Sequence, residues 1–287
     1  MIKNRKGEII AGNQEQNRIL TKLYDTFSGR IFLKFLIMPV VSHTAGKFMD
    51  SPFSVHFIRK FIEKHNLDTS DYIMKKFHSY NEFFTRRLKS GKRIIDYNAD
   101  HLISPCDSKL SVYKINRNSI FKIKDSLYRI SDMLANEFLA RRYDGGYCFI
   151  YRLEVDDYHR YCYIDDGSKT ENVFIQGEFH TVNPIALKHY NIYKRNSREY
   201  TVLHTNNFGD VVHMEVGALM VGRICNHHEE YYFVKGEEKG MFQFGGSTIV
   251  QLFEKNTIRP DSDILRNTRA GFETVVHYGE KVGTVLR

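Results

Sequence analysis

The sequence has no CxxC pair, and its four cysteines, Cys106, Cys148, Cys162 and Cys225, are too scattered to frame a disulfide-stapled domain. Such spacing suits free thiols in a reducing compartment. No long lysine or arginine run occurs, and no RNP, zinc-finger or basic-zipper pattern, which argues against nucleic acid as a partner. Nothing repeats at solenoid or propeller period. With 19 glycines and 5 prolines in 287 residues, the chain is neither collagen-like nor broadly disordered. The opening MIKNRKGEII lacks an apolar signal core. The longest apolar run, residues 31–41, is interrupted by Lys34 and stopped near Pro39. It is too short to span a bilayer.

What is present supports a folded protein. Hydrophobic residues make up 42% of the chain, enough for one large core or two small ones. Lysine and arginine exceed the acids by 42 to 34, a formal charge of +8 that favours an anionic partner. Leu20, Leu23, Tyr24, Phe27, Ile31, Phe35 and Met38 recur at helical spacing with Lys22, Arg30 and Lys34 between them. A basic amphipathic helix of this kind either rests in a membrane interface or packs on a core. Phe57, Ile58, Phe61 and Ile62 continue the helical period, and Ser79 and Glu82 form a capping box before a helix expected to run through Leu88 to Gly91. Beyond Pro105 the pattern changes to short strands with glycine turns: 109–115, a hairpin around Asp125, 147–155, 211–216, 220–224, 231–234, 247–253 and 274–278, with a helix over 131–142. The expected fold class is α+β, with a helical, membrane-associating region over 1–100 and a compact β-rich catalytic domain over 101–287.

The stretch Lys235-Gly-Glu-Glu-Lys-Gly-Met-Phe-Gln-Phe-Gly-Gly-Ser-Thr carries the chemistry. Gly245 and Gly246 permit a sharp turn and close approach to the backbone, and Ser247 then opens a β-branched strand. By itself this reads as an ordinary hairpin turn. His227-His228-Glu229-Glu230 has no i, i+4 histidine pair and reads as a solvated turn rather than a metal cluster. Glu237 and Glu238, between glycines, read as structural.

The glutamate-rich stretch resembles the processing region of the phosphatidylserine decarboxylases, in which Gly-Ser-Thr follows Lys-Gly-Glu-Glu-x-Gly-x-Phe-x-Phe. Gly245 stands where many members have leucine. Further segments match in family order: Asn81-Glu-Phe-Phe-Thr-Arg-Arg-Leu, Ser104-Pro-Cys-Asp-Ser with Ser108 in place of glycine, Asp157-Tyr-His-Arg160, and Thr181-Val-Asn-Pro. The likeness runs from about residue 75 to the C-terminus.

The resemblance implies that the Ser247 hydroxyl attacks the Gly246 carbonyl to give an ester. Elimination and hydrolysis then leave a pyruvoyl group at 247 and release ammonia. The products are a β-chain ending at Gly246 and a short α-chain. A serine hydroxyl needs a base. The family's Ser–His–Asp relay maps its acid onto Asp107. Many members have a second histidine where this chain has Cys162, so His159 takes the base role by default, with Cys162 either accessory or a small buried hydrophobe. The pyruvoyl carbonyl would form a Schiff base with the serine amine and accept the electrons freed by CO₂ loss, giving phosphatidylethanolamine. The implied partners are phosphatidylserine, an anionic membrane surface and the two chains themselves, with a homodimer admitted. The implied location is peripheral, on the cytoplasmic face. The rival readings are a pyruvoyl enzyme acting on a soluble amino acid and a non-enzymatic lipoyl-carrier-like β domain.

Overall fold

The computed structural model describes residues 1–10, 14–116, 118–123, 126–178, 180–181, 192–217, 223–245 and 247–286. Gly246, the tip at Asp125, and most of the 181–187 and 220–224 segments singled out in the sequence lie outside the described residues.

The fold is α+β. Among the described residues eleven strands form one sheet, whose middle runs Arg198–Thr205, Gly209–Val216, Ser247–Phe253, Tyr147–Leu153, Ser108–Lys114 and Glu273–Val276, each antiparallel to the next. The Ser247–Phe253 strand contains no glycine, proline or charge and is buried along its whole length, as a strand covered on both faces must be. Ile249 and Phe253 pack with Leu110, Phe149, Tyr151 and Val211 on one face. Val250 and Leu252 pack with Ile150, Val212 and Met214 on the other.

A smaller sheet, Arg223–Asn226, Glu238–Gln243 and Arg160–Cys162, shares the Ile249 core through Tyr161 and Phe242. It brings Lys239 into the interior, fully buried, where its ammonium meets the equally buried Glu215 carboxylate at 2.5 Å and Asn226 Oδ1 at 2.6 Å. Third comes an aromatic cluster of Phe77, Tyr80, Phe83 and Phe84, packed against Ile58, Phe61, Ile62 and Phe244.

Several local expectations change. The first residues are strands: Ile2–Lys3 runs parallel to Glu273–Val276 and pairs with Ile9–Ile10. Arg5 ties this edge down through Asp261, Asp263 and Glu280. The amphipathic stripe splits into Gln14–Asp25 and Phe27–Leu36, because the Thr26 hydroxyl accepts the Gly29 N–H and starts a new helix. The helix after Ser79 stops at Phe84, and Leu88 pairs with Tyr72 instead. Half of the capping box is as expected: Ser79 accepts from the Glu82 N–H at 3.1 Å, but the Glu82 carboxylate takes the His78 N–H. The 131–142 helix is two short ones, Ile130–Leu134 and Glu137–Arg141, separated by Ala135 in a left-handed conformation with φ 50°.

A buried ion pair is costly to break because the partner left behind keeps its charge without solvent. Lys239→Met, made in the Ser247→Ala background so that a single chain unfolds, is expected to lose about 3–5 kcal/mol in urea. Adding Glu215→Leu should recover most of it; a double variant no more stable than the single one would show that the pair is not the source.

Candidate active site

Four neighbouring strands end or begin at one edge of the central sheet, and the chemistry collects there. Ser247 opens its strand opposite Leu153, and Val276 is paired with Ser108, the residue after Asp107. The loop leaving Leu153 carries Asp157 and His159. The Phe242 N–H donates to the His159 carbonyl at 2.9 Å, so the segment leading to Ser247 is laid against the histidine by backbone pairing.

His159 is fully buried, with its ring 4.1 Å from that of Phe84. Its Nδ1 lies 2.9 Å from the Asp157 carbonyl oxygen. A carbonyl only accepts, so Nδ1 carries the proton and Nε2 keeps a lone pair. Burial, followed by the nearby Arg86 charge, drives the imidazole down to about 3, which keeps it neutral. The Gly245 backbone approaches the ring closely enough to favour protonation, but Nε2 makes no hydrogen bond of ordinary geometry. Among the described residues the Ser247 hydroxyl is buried and likewise without a partner. Leaving a buried hydroxyl unpaired costs about 1–3 kcal/mol. Two such groups, one able to donate and one able to accept, therefore stand at the same sheet edge.

Asp107 does not face this imidazole. Its carboxylate receives Arg93 Nε at 2.9 Å, Arg93 Nη2 at 2.5 Å and the Tyr278 backbone N–H at 2.8 Å. His277 Nδ1 stands 3.7 Å from Asp107 Oδ1, past hydrogen-bond length but close enough for an ion pair when the ring is protonated. Burial pushes the Asp107 carboxyl up, but His277 and Arg93 outweigh it and hold the group at about 2; Asp107 in turn raises His277. The imidazole that stands next to Asp107 is thus His277, half-exposed and just beyond the end of a different strand. Sequence reasoning missed it: His277 lay inside the expected 274–278 strand, which in the structure ends at Val276.

Cys162 is fully buried; its N–H donates to the Pro105 carbonyl, and burial pushes its thiol up to about 12. A thiol held that far from thiolate is a packing group. Glu238 pairs with Arg160 and His227, and Glu237 accepts from the Tyr231 hydroxyl, so both acids brace the strand before the glycines. His228 stacks on Tyr231 with centroids 3.7 Å apart.

A buried serine at the head of a central strand and a buried, neutral imidazole laid against the segment leading to it mark an α+β protein with two unsatisfied polar groups at one end of its main sheet. The chain belongs to the phosphatidylserine decarboxylase family, whose model matches residues 80–284. It is 47% identical over 277 residues to a phosphatidylserine decarboxylase proenzyme 2 of Clostridium acetobutylicum, covering 96% of this chain and 95% of that one. A phosphatidylserine decarboxylase proenzyme of Ruminiclostridium cellulolyticum is 42% identical, covering 94% and 92%. Another from Clostridium novyi is 40% identical, covering 99% and 98%.

A base that is already neutral should act far into the acid range. Self-cleavage is expected to hold level from about pH 8 to about pH 5, where an ordinary imidazole has lost its lone pair to a proton. It should also be indifferent to Cys162→Ser. A fall in rate centred above about pH 6.5 would instead assign the base to His277, whose imidazole Asp107 holds above its ordinary value.

Proposed function

We propose that this chain cuts itself at Gly246–Ser247 and uses a pyruvoyl group formed at 247 to decarboxylate phosphatidylserine. The observation that carries the reading is the pair of unsatisfied buried groups, the Ser247 hydroxyl and His159 Nε2, in a chain of this family. His159, with Nδ1–H fixed on Asp157, takes the hydroxyl proton as Oγ bonds to the Gly246 carbonyl carbon. The imidazolium returns that proton to the departing Ser247 nitrogen, so that the amide becomes an ester with no net change in protons. Asp107 acts through His277 and Arg93, fixing positive charge at the sheet edge. Ser247, buried and without a partner for its hydroxyl, fits the position of a group made from the chain itself. When formed, the pyruvoyl carbonyl supplies an electron sink for the pair left by departing CO₂. His159, neutral and screened from water by Phe84, holds a proton-accepting atom at that place. The alternative of a soluble amino-acid substrate is disfavoured by the apolar surface described next.

Among the described residues no helix is long and apolar enough to cross a membrane. The N-terminal helices instead divide the stripe: Leu20, Tyr24 and Leu33 turn into the core, while Phe27 is 76% exposed, Phe35 61% and Val40 70%, with Ile31, Phe32 and Met38 beside them. Phe53 (76%) and Phe57 extend this surface. So large an apolar area flanked by Arg30, Lys34 and Lys47 suits an anionic lipid surface at the cytoplasmic face. It is tied to the site: Ser54 Oγ accepts the Tyr80 N–H at 2.8 Å, and Tyr80 packs on Phe244 at 5.3 Å.

Intact mass of freshly purified protein should show two chains, with the mass change of ammonia loss and pyruvoyl formation on the shorter. Ser247→Ala should remain one chain and His159→Gln should mature at least 100-fold more slowly, about the share a general base supplies. A Ser247→Ala protein that is still cut there would remove the nucleophile from the scheme.

Binding to liposomes containing phosphatidylserine should weaken with salt without vanishing, since each well-placed Lys or Arg contributes roughly 1 kcal/mol and apolar insertion is insensitive to salt. Replacing Phe27, Ile31 and Phe35 by Ser should abolish flotation and leave self-cleavage intact. Undiminished flotation of that variant would locate the lipid surface elsewhere.

A further inference from the structure

Most cations on the strands and loops at this end of the main sheet are paired with carboxylates. Arg93 has Asp107, Lys109 has Asp157 and Glu154, Arg152 has Glu154 and Glu273, and Arg160 has Glu238. Arg86, 2% exposed, has no carboxylate within ion-pair distance among the described residues. Its guanidinium lies over the Tyr72 ring at 4.2 Å and over the Phe83 ring at 5.1 Å. One Nη donates to the Asp156 carbonyl at 3.2 Å, the other to the Phe84 carbonyl at a long 3.4 Å, and Nε has no hydrogen-bond partner. A buried cation ordinarily has a counter-charge, because desolvating it alone is expensive. This one sits close enough to His159 to bear on its protonation, and Phe84, two residues before it, packs on His159.

We propose that Arg86 binds the phosphodiester of the phosphatidylserine headgroup, an inference that rests on the lipid-decarboxylase reading above. The substrate brings two anions to the site, a carboxylate and a phosphodiester. The carboxylate loses its charge as CO₂ departs, so an ion pair on it would stabilise the ground state more than the transition state and slow the reaction. The phosphodiester keeps its charge throughout, and binding it orients the amine and carboxylate at residue 247. A planar guanidinium with an unused Nε–H matches two phosphate oxygens. The burial of Arg86 argues against a loose contact with the membrane surface: it is as enclosed as Ser247 and His159, so a headgroup that reaches them reaches it. Aromatic rings on one side and two carbonyls on the other hold the fork in place before the ligand arrives.

The test compares two soluble probes that share the amine and lack the carboxylate: glycerophosphoethanolamine, which carries the phosphodiester, and ethanolamine, which does not. Calorimetric titration of the mature two-chain protein should show glycerophosphoethanolamine binding about 10- to 100-fold tighter, the range of a charge-assisted hydrogen-bond pair. Arg86→Gln should erase that preference while changing ethanolamine binding less than about twofold, and Arg86→Lys, a point charge without the fork, should fall between. Unchanged preference in Arg86→Gln overturns the proposal and leaves the guanidinium to the carboxylate or to a structural role. If Arg86→Gln fails to mature, the comparison is made on Arg86→Lys; failure of both to mature also overturns it, because Arg86 would then belong to self-cleavage. A wild-type protein that matures but does not convert phosphatidylserine sinks the decarboxylase reading instead, and the Arg86 proposal with it.

Discussion

The strand Ser247–Phe253 is hydrogen-bonded along both edges, to Gly209–Val216 on one side and Tyr147–Leu153 on the other. Everything else about the site depends on that double ladder. The proposed cut just before Ser247 would leave the new chain end at the head of a strand held in place, because both of its hydrogen-bonded neighbours belong to the other chain. The segment beyond the cut also supplies Glu273–Val276 to the main sheet and Lys281–Val285 to a smaller one, so the shorter chain is woven into two sheets rather than appended to one. Chemistry that breaks the backbone is tolerable only where pairing this extensive makes the break irrelevant to the fold.

The same burial sets the electrostatics. In a region this poorly hydrated a neutral form is favoured for any group without a counter-charge, and His159 is accordingly held neutral by burial first and by the Arg86 charge second. Asp107 stays ionised because Arg93 and His277 overcome the cost of burying it. Base and carboxylate thus sit at one sheet edge in opposite regimes, one unpaired and neutral, the other paired and charged. Arg86 departs from the pairing of most nearby cations, and a buried charge without a counter-charge near His159 is the ground for the ligand proposed above.

The N-terminal helices are coupled to this centre through a run of aromatic contacts. Phe61 meets both Tyr80 and Phe83, and Tyr80 and Phe84 in turn bracket Phe244, three residues ahead of Ser247. The Asn81 amide donates to Asp50 Oδ1 at 2.8 Å and fastens the same short helix to the end of the Pro39–Met49 helix. The exposed apolar N-terminal surface and the covering of the segment before Ser247 are therefore parts of a single packed unit.

Contiguous features were legible in the sequence by itself. The α+β division, the strand from Ser247, the N-cap at Ser79 and the family relation all depend on residues close together in the chain, where periodicity and motif carry the information. The shortened helix after Phe84 was not legible, because Leu88 is drawn into a bridge with Tyr72, a long-range contact that local propensity does not register. Nor was the first strand, Ile2–Lys3, which is too short to show a pattern and exists only because Glu273–Val276 offers it an edge. The site divides along the same line. Ser247, His159 and Asp107 each lie in a local motif, and the sequence determined which residue types were at hand. Which imidazole meets which carboxylate was decided by strand order alone: Glu273–Val276 pairs with Ser108–Lys114, and that pairing delivers His277 to Asp107 while the backbone bond from Phe242 keeps His159 beside the cleavage loop. The lack of a counter-charge for Arg86 among the described residues is a fact of the same kind, since it becomes visible only in the tertiary structure.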